Sequence, residues 1–381
     1  MNTRAASVDI GNDSIKAFLG VGYNARVLLP NVISEVESRD IVDYEKEVLQ
    51  GLHVQINSGA LKNGKGSYAV GVLATKYKSN DELTSNSEKS ESDQPVIMLL
   101  TTLAYDTATN TQPDEDGIID VTYHLSTGLP LAEIKKGKRA AFREKLKKHT
   151  HEVTFLQTPQ LEGVTVRIRF ETVKVNTESY SALVDLTMAE DGSPRNEELE
   201  GKTILIHDIG GLSTDAAIIY GDGQIDNEAS EGMKEGVSPY LDEIIEQVEK
   251  KHNVKYFKSR REVVKVITDK GEDRNHIYIK GNRTPIGDDI IKPILGRLAK
   301  DEYKLIDRMW NEVPSIQLAY CIGGGSLVLR SQLEEINDKS HQYPLRFIEG
   351  EDSVWMIARA YHKVLHAVLG EKGITLEAVE A

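Results

Sequence analysis

An apolar run ends in the tripeptide Asp-Ile-Gly at two distant places in this chain, and the repetition restricts the fold more than any other feature. At the second place, residues 204–219 read ILIHDIGGLSTDAAII. Ile204-Leu205-Ile206 leads to Asp208, then come Gly210, Gly211 and Leu212, the hydroxyls of Ser213 and Thr214, and Asp215. A second apolar run, Ala216 to Ile219, leads away. Such runs on both sides of paired glycines predict a β-hairpin turning at Gly210-Gly211-Leu212-Ser213. Glycine lets the backbone approach a bound group and aim N–H groups at it, which suits a phosphate. Asp208 would stand at the edge of that site, where a carboxylate can hold the hydrated magnesium that accompanies nucleotide phosphates. An ordinary hairpin with a Gly-Gly turn accounts for the same residues equally well.

The other copy lies at the N-terminus, ASVDIGNDSIKAFLG. Ala5 to Val8 lead to Asp9, Ile10 and Gly11 follow, then the small polar residues Asn12, Asp13 and Ser14, then an outgoing run, Ile15 to Leu19. Two such hairpins suggest two similar half-domains facing one ligand. A third element, AYCIGGGSLVL at residues 319–329, takes a buried strand into Gly323, Gly324 and Gly325, then Ser326 and a helix start. A glycine-rich loop before a helix admits a nucleotide's sugar or phosphates to the backbone.

Together, Asp9-Ile10-Gly11, Asp208-Ile209-Gly210-Gly211 and Ile322-Gly323-Gly324-Gly325 resemble the phosphate-one, phosphate-two and adenosine motifs of the actin, sugar-kinase and heat-shock chaperone ATPase superfamily. Residues 125–131 (LSTGLPL) and 173–179 (VKVNTES) narrow the resemblance to bacterial plasmid-segregation actins of the ParM type. The resemblance implies an α/β, actin-like two-domain fold, each domain a mixed sheet with flanking helices, with the nucleotide in the cleft between. Its domains would be 1–200, with a small subdomain at about 31–95, and 201–381, with one at about 238–290. It implies hydrolysis of ATP or GTP with Mg2+. Asp9 and Asp208 would position the metal, and backbone N–H groups of Gly11 to Ser14 and Gly210 to Ser213 would cradle phosphates. Gly232, Lys234 and Gly236, with Gly323 to Ser326, would flank the nucleoside. Lys16 either adds charge compensation or faces solvent.

Glu178 follows the strand residues 172–175 and is expected at a helix start, with Thr177 or Asn176 as cap. A carboxylate there can be a simple dipole partner. The resemblance makes it the group that orients or deprotonates the water attacking the terminal phosphate.

Composition decides between partners. With 46 basic and 60 acidic residues the formal charge is −14, a poor match to direct DNA binding, which needs a basic face. The resemblance therefore implies filaments that reach a centromere-like plasmid site through a DNA-binding adaptor of the ParR type. The basic stretch KKGKRAAFREKLKK, residues 135–148, argues the other way, but it reads more simply as a solvated helix face. His149 and His151 lack companions at metal-ligand spacing. Residues 76–95 are polar and expected as a solvated loop. One cysteine, Cys321, permits no intrachain disulfide, and no apolar run is long enough to span a bilayer, so a cytoplasmic location is expected. The alternatives are a sugar or acid kinase of the same superfamily, which would need an aspartate base beside a substrate hydroxyl, and a non-segregating scaffold actin.

Overall fold

The structure, a computed structural model, describes residues 2–40, 45–79, 81–82 and 87–375. The chain divides into two compact units, Met1–Asn196 with Trp355–Ala381, and Glu197–Val354.

The first unit is built on β1 (Asn2–Ile10), β2 (Ser14–Leu19), β3 (Arg26–Pro30), β4 (Val32–Glu35), β5 (His53–Asn57), β6 (Lys65–Val70) and β7 (Asp81–Glu82), followed by helix α1 (Gln94–Asn110). Then come β8 (Ile118–Leu129), α2 (Leu131–Lys135), α3 (Lys138–Lys147), β9 (His151–Phe155), β10 (Thr165–Thr177) and α4 (Glu178–Thr187). Ten strands form one mixed sheet in the order β3-β2-β1-β8-β10-β9-β5-β6-β4-β7. β1 is parallel to β8, and β8 to β10, while β2 returns antiparallel beside β1. From Arg4 to Ile10 every residue of β1 is buried, as befits a strand covered on both faces. The strands of the 31–95 region continue this sheet through β9 rather than forming a sheet of their own. α1 lies across it, with Pro95 in its first turn and Val96 to Leu100 fully buried. A buried Arg4–Asp106 pair, two bonds of 2.7 and 2.8 Å, joins β1 to α1, and Tyr123 of β8 donates to the same carboxylate at 2.6 Å.

The second unit contains β11 (Thr203–Ile209), β12 (Thr214–Ile219), β13 (Glu231–Met233), α5 (Ser238–His252), α6 (Arg260–Thr268), β14 (His276–Ile279) and β15 (Asn282–Pro285). α7 (Lys292–Glu312), β16 (Ile316–Ile322), α8 (Gly323–Asp338) and β17 (Leu345–Phe347) complete it. Five strands order as β13-β12-β11-β16-β17, again with an antiparallel hairpin beside a parallel neighbour. Leu241, Ile244 and Val248 of α5 are buried at the expected helical spacing. Cys321 is wholly buried in β16, and burial pushes its thiol up to about 12.

Several sequence expectations are corrected. The motif residues Thr127, Gly128 and Leu129 lie within β8. The strand residues 172–175 are part of one longer strand, β10, which has an irregularity between Phe170 and Thr172. α4 begins at Glu178 without a side-chain cap, because the Asn176 amide is turned to Ser126 and Thr127 and the Thr177 hydroxyl accepts from Arg139. α5 likewise starts, at Ser238, without a side-chain cap. His151 is buried between Ser58 Oγ and the Leu146 carbonyl, and burial pushes its pKa down to about 4, so it is a core residue. Part of the expected loop at 76–95, residues 80 and 83–86, lies outside the described residues. At its other end Lys89 and Ser90 are buried rather than solvated.

The last helix, α9 (Gly350–Glu371), is grouped from Trp355 onward with the first unit, although division at residue 200 places it with the second domain. Its anchors are distant in sequence. Arg359 and Lys363 both reach the buried Asp185 carboxylate, at 2.6 to 2.8 Å, and Tyr361 packs over Gly128. A Cβ at Gly128 would stand 1.8 Å from the Tyr361 hydroxyl. Gly128→Ala should therefore destabilise the protein by about 1–3 kcal/mol, the usual cost of overpacking. Thermal unfolding of the variant should show a lower midpoint, and an unchanged midpoint would mean that α9 yields freely.

Candidate nucleotide-binding site

The two Asp-Ile-Gly hairpins have the same register. Ile10 pairs with Ile15 and Ile209 with Thr214, so each turn holds four residues between its last paired positions. A Cβ on Gly11 would meet the Ser14 carbonyl oxygen at 2.8 Å, and one on Gly210 would meet the Ser213 carbonyl oxygen at 2.8 Å. The glycine at the head of each turn is thus required by close approach of backbone to backbone.

In the second unit the turn is fastened from behind. The first N–H groups of α5 and the residue before it bond to the turn's carbonyls, Val237 to Gly210 at 3.1 Å and Ser238 to Gly211 at 2.7 Å. A trans peptide points its N–H opposite its C=O. The N–H groups of Gly211 and Leu212 therefore face the other side of the turn, as an anion-binding concavity requires. Gly236 is needed for this contact, since its Cβ would lie 2.5 Å from the Gly211 oxygen. Gly323 and Gly325 close on the same strand end, where their Cβ atoms would meet Asp208 Oδ1 at 2.3 Å and Ile209 Cγ2 at 2.6 Å. Asp208, Gly210 to Ser213, Gly236, Gly323 and Gly325 are thus brought together. The motif's serine is used internally, its Oγ donating to the Gly323 carbonyl at 2.8 Å, so Ser326 closes the first turn of α8. Gly324, Lys234 and Gly232 are all exposed, and Gly232 also backs on to Asp215, its Cβ position 2.7 Å from Oδ1.

In the first unit the Gly11 carbonyl accepts from Asn31 Nδ2 at 2.8 Å, and Asn31 N–H donates to the Asp13 carbonyl at 3.0 Å. Asn31 thus braces the turn from Gly11 to Asp13, leading into Ser14, as α5 braces the other. Lys16 stands across the hairpin from Asp9 and its Nζ donates to Asp9 Oδ2 at 3.1 Å, so it faces the carboxylate and not open solvent. β1, β8 and β10 run parallel, which puts Asp9 and Glu178 at the same carboxyl-terminal edge of the sheet, two strands apart. Ligands of α/β sheets gather at that edge. Glu178 Oε1 accepts from Lys89 Nζ at 2.6 Å.

Three participants escaped the sequence reading. Asp215 lies directly opposite Asp208, so the two carboxylates share one face of the hairpin. The fixed spacing carries that signal, since the same step from Asp9 leads to Lys16. Behind the turn, Glu302 of α7 is wholly buried and accepts from Thr214 Oγ1 at 2.6 Å, with His207 Nε2 at 2.8 Å. Lys89 is the third. Among the described residues no three His, Cys, Asp or Glu side chains converge as a direct metal cage.

Residues 7–180 match the model of the N-terminal domain of actin-like proteins, and residues 203–347 match that of the Alp7A C-terminal domain. The search of curated proteins finds no match. Among solved structures, the crystal structure of the actin-like protein Alp7A superposes with a TM-score of 0.77 at 20% identity, covering 98% of both chains. Bacillus thuringiensis ParM with ATP gives 0.72 at 22% identity, covering 98% of this chain and all of that one. A subunit of a 15-stranded ParM filament from Clostridium botulinum gives 0.69 at 20%, covering 96% of this chain and all of that one. At these identities the structural likeness is one of fold, and no helix among the described residues is long and apolar enough to cross a membrane. With both domain models matched in order along most of its length, the chain belongs to the family of actin-like proteins, with a C-terminal domain of the Alp7A-like type.

Proposed function

We propose that this protein is a nucleotide-driven, filament-forming ATPase that segregates plasmid DNA through an adaptor. The observation that carries the nucleotide reading is the pair of hairpins in one register, each with an obligatory glycine and a carboxylate two residues before that glycine. In each unit, the N–H groups of the turn are the donors offered to phosphates. Gly232 to Gly236 and Gly323 to Ser326 flank the nucleoside. Each unit offers hard carboxylate oxygens beside its turn, Asp9 in the first and Asp208 with Asp215 facing it in the second, the donor type that suits a magnesium ion held mostly through its own waters. Bound there, the ion would neutralise charge on the phosphates. Lys16 adds positive charge beside Asp9. Glu178 orients the attacking water. ATP is favoured as the nucleotide because ATP and ADP accompany the ParM of B. thuringiensis in its structures, and filament assembly is supported by the C. botulinum ParM filament.

The link to DNA is the adaptor. A filament of subunits at −14 repels phosphate, so the sequence-reading basic surface belongs on a separate ParR-type protein at a centromere-like site, in the cytoplasm. The basic stretch 135–148 does not supply that surface. Phe142 and Leu146 are buried, Lys136 pairs with Glu88, and Lys138 with Glu91 at 2.8 Å.

Light scattering and electron microscopy with each nucleotide and magnesium test the whole reading, and filaments with ATP are expected. Phosphate release without any added acceptor separates a hydrolase from a sugar or acid kinase. Glu178→Ala should slow hydrolysis about a hundredfold or more, while nucleotide still drives assembly. Normal phosphate release per filament in that variant would remove Glu178 from the mechanism. Asp208→Ala should weaken nucleotide binding in magnesium far more than in chelator, and equal losses would make Asp208 a structural residue. In co-sedimentation at near-physiological salt, plasmid DNA should stay in the supernatant until the adaptor is added. Tight, sequence-selective DNA binding by the chain alone would overturn the adaptor scheme.

A further inference from the structure

We infer that Lys89 is the positioning residue for the hydrolytic carboxylate, and that the basic stretch 135–148 exists to deliver it. The inference rests on the reading of Glu178 as the water-orienting group.

Lys89 reaches Glu178 from a polar run with no secondary structure of its own, 89 positions away in sequence. Its Nζ lies 2.6 Å from Glu178 Oε1, and both side chains are largely removed from solvent, at 5% and 15% exposed. Burying an ammonium on an irregular segment is costly unless the segment is fixed, and here it is fixed from several directions. Glu133, buried on α2, takes the backbone N–H of Lys89 on one oxygen at 2.8 Å and that of Ser90 on the other at 2.9 Å. Lys145 of α3 reaches across to the carbonyls of Ser90 and Ser92, at 3.2 and 3.4 Å. Lys136 pairs with Glu88, and Lys138 with Glu91. The lysines that made residues 135–148 look like a nucleic-acid surface thus bind the chain on both sides of Lys89.

The consequence is geometric. An isolated glutamate at a helix start samples several rotamers. With one oxygen held by an immobile ammonium, Glu178 presents its carboxylate at a set place and angle at the sheet's carboxyl edge. A water-orienting group loses much of its effect when displaced by about an ångström. The rigidity of the support, from Glu133 above all, is what a positioning contact needs. A contact meant to be released would sit on a loosely held segment.

The test compares Lys89→Met, Lys89→Arg, Glu178→Gln and the double variant Lys89→Met/Glu178→Gln in full-length protein. ATP affinity, pelleted filament and single-turnover phosphate release are measured for each. Lys89→Met should slow release by about 10- to 100-fold, with ATP affinity and filament yield unchanged. Lys89→Arg should recover much of the rate, and the double variant should be no slower than Glu178→Gln, as expected for residues that act as a unit. If Glu178→Gln is slow while Lys89→Met keeps the parent rate, or exceeds it, Lys89 does not position the carboxylate and the inference falls alone. If Glu178→Gln hydrolyses at the parent rate, the reading of Glu178 falls and takes the inference with it. Loss of ATP affinity in Lys89→Met and Lys89→Arg alike would show a general structural role and overturn it as well.

Discussion

Everything proposed for this chain depends on a contact between two pieces of backbone. At the head of each Asp-Ile-Gly turn the chain folds back so tightly that the Cα of Gly11 or Gly210 lies against the carbonyl of the serine three residues on. No side chain fits there. The tightness shortens each hairpin to a fixed register and stops the strand one residue after its aspartate. Because β1 and β11 each run parallel to the neighbour on their other side, that stop falls at the carboxyl edge of the sheet, beside the ends of β8 and β16. Register, edge and carboxylate follow from one steric fact in each unit.

The braces behind the two turns differ while the geometry they enforce is the same. One turn is held by a side chain, Asn31, itself fixed by Gln94 of α1 through bonds of 2.8 and 3.0 Å. The other is held by backbone donors at the start of α5 and by the Thr214–Glu302–His207 chain of buried polar groups. That chain ties the turn to α7 as firmly as Gln94 ties the other to α1. The opposing residues differ too, Lys16 facing Asp9 and Asp215 facing Asp208. The first hairpin carries its own countercharge, and the second concentrates negative charge where a cation is expected.

The hairpins and the long helices were legible in the sequence because each rests on neighbours a few residues apart, whereas Gly323 to Gly325, expected as a loop before a helix, form the first turn of α8 itself. What was not legible depends on partners far along the chain. Gly128 reads locally as a breaker, yet it lies within β8, and the hydroxyl end of Tyr361 takes the space its missing side chain leaves. Asn176 reads as a helix cap, and its amide instead serves Ser126 and Thr127 on the adjacent strand. Residues 88–92 read as a polar loop, and burial comes from Glu133 and the lysines of α3, none of which announces its target. Composition identified the basic stretch correctly as unusual but could not say that its counterions were internal. Periodicity likewise carries no information about which unit a helix joins, so α9 went with its sequence neighbours rather than with Ser7, Gly128 and Asp185.

The irregularity in β10 has an evolutionary side. Phe170 pairs with Tyr123 and Thr172 with His124, leaving Glu171 without an opposite number. One surplus residue in a strand exchanges the faces of everything after it. Upstream of Glu171 the buried residues are Val166, Ile168 and Phe170, and downstream, after Thr172 beside the surplus residue, they are Val173, Val175 and then Asn176 and Thr177. The parity of the whole segment leading to Glu178 is therefore set by a single codon. Drift can exchange the amino acid at that codon, whereas a length change there would invert the strand's inward and outward residues at one stroke. Lineages descended from this chain are free to diverge in spelling along β10 but are bound to conserve its count.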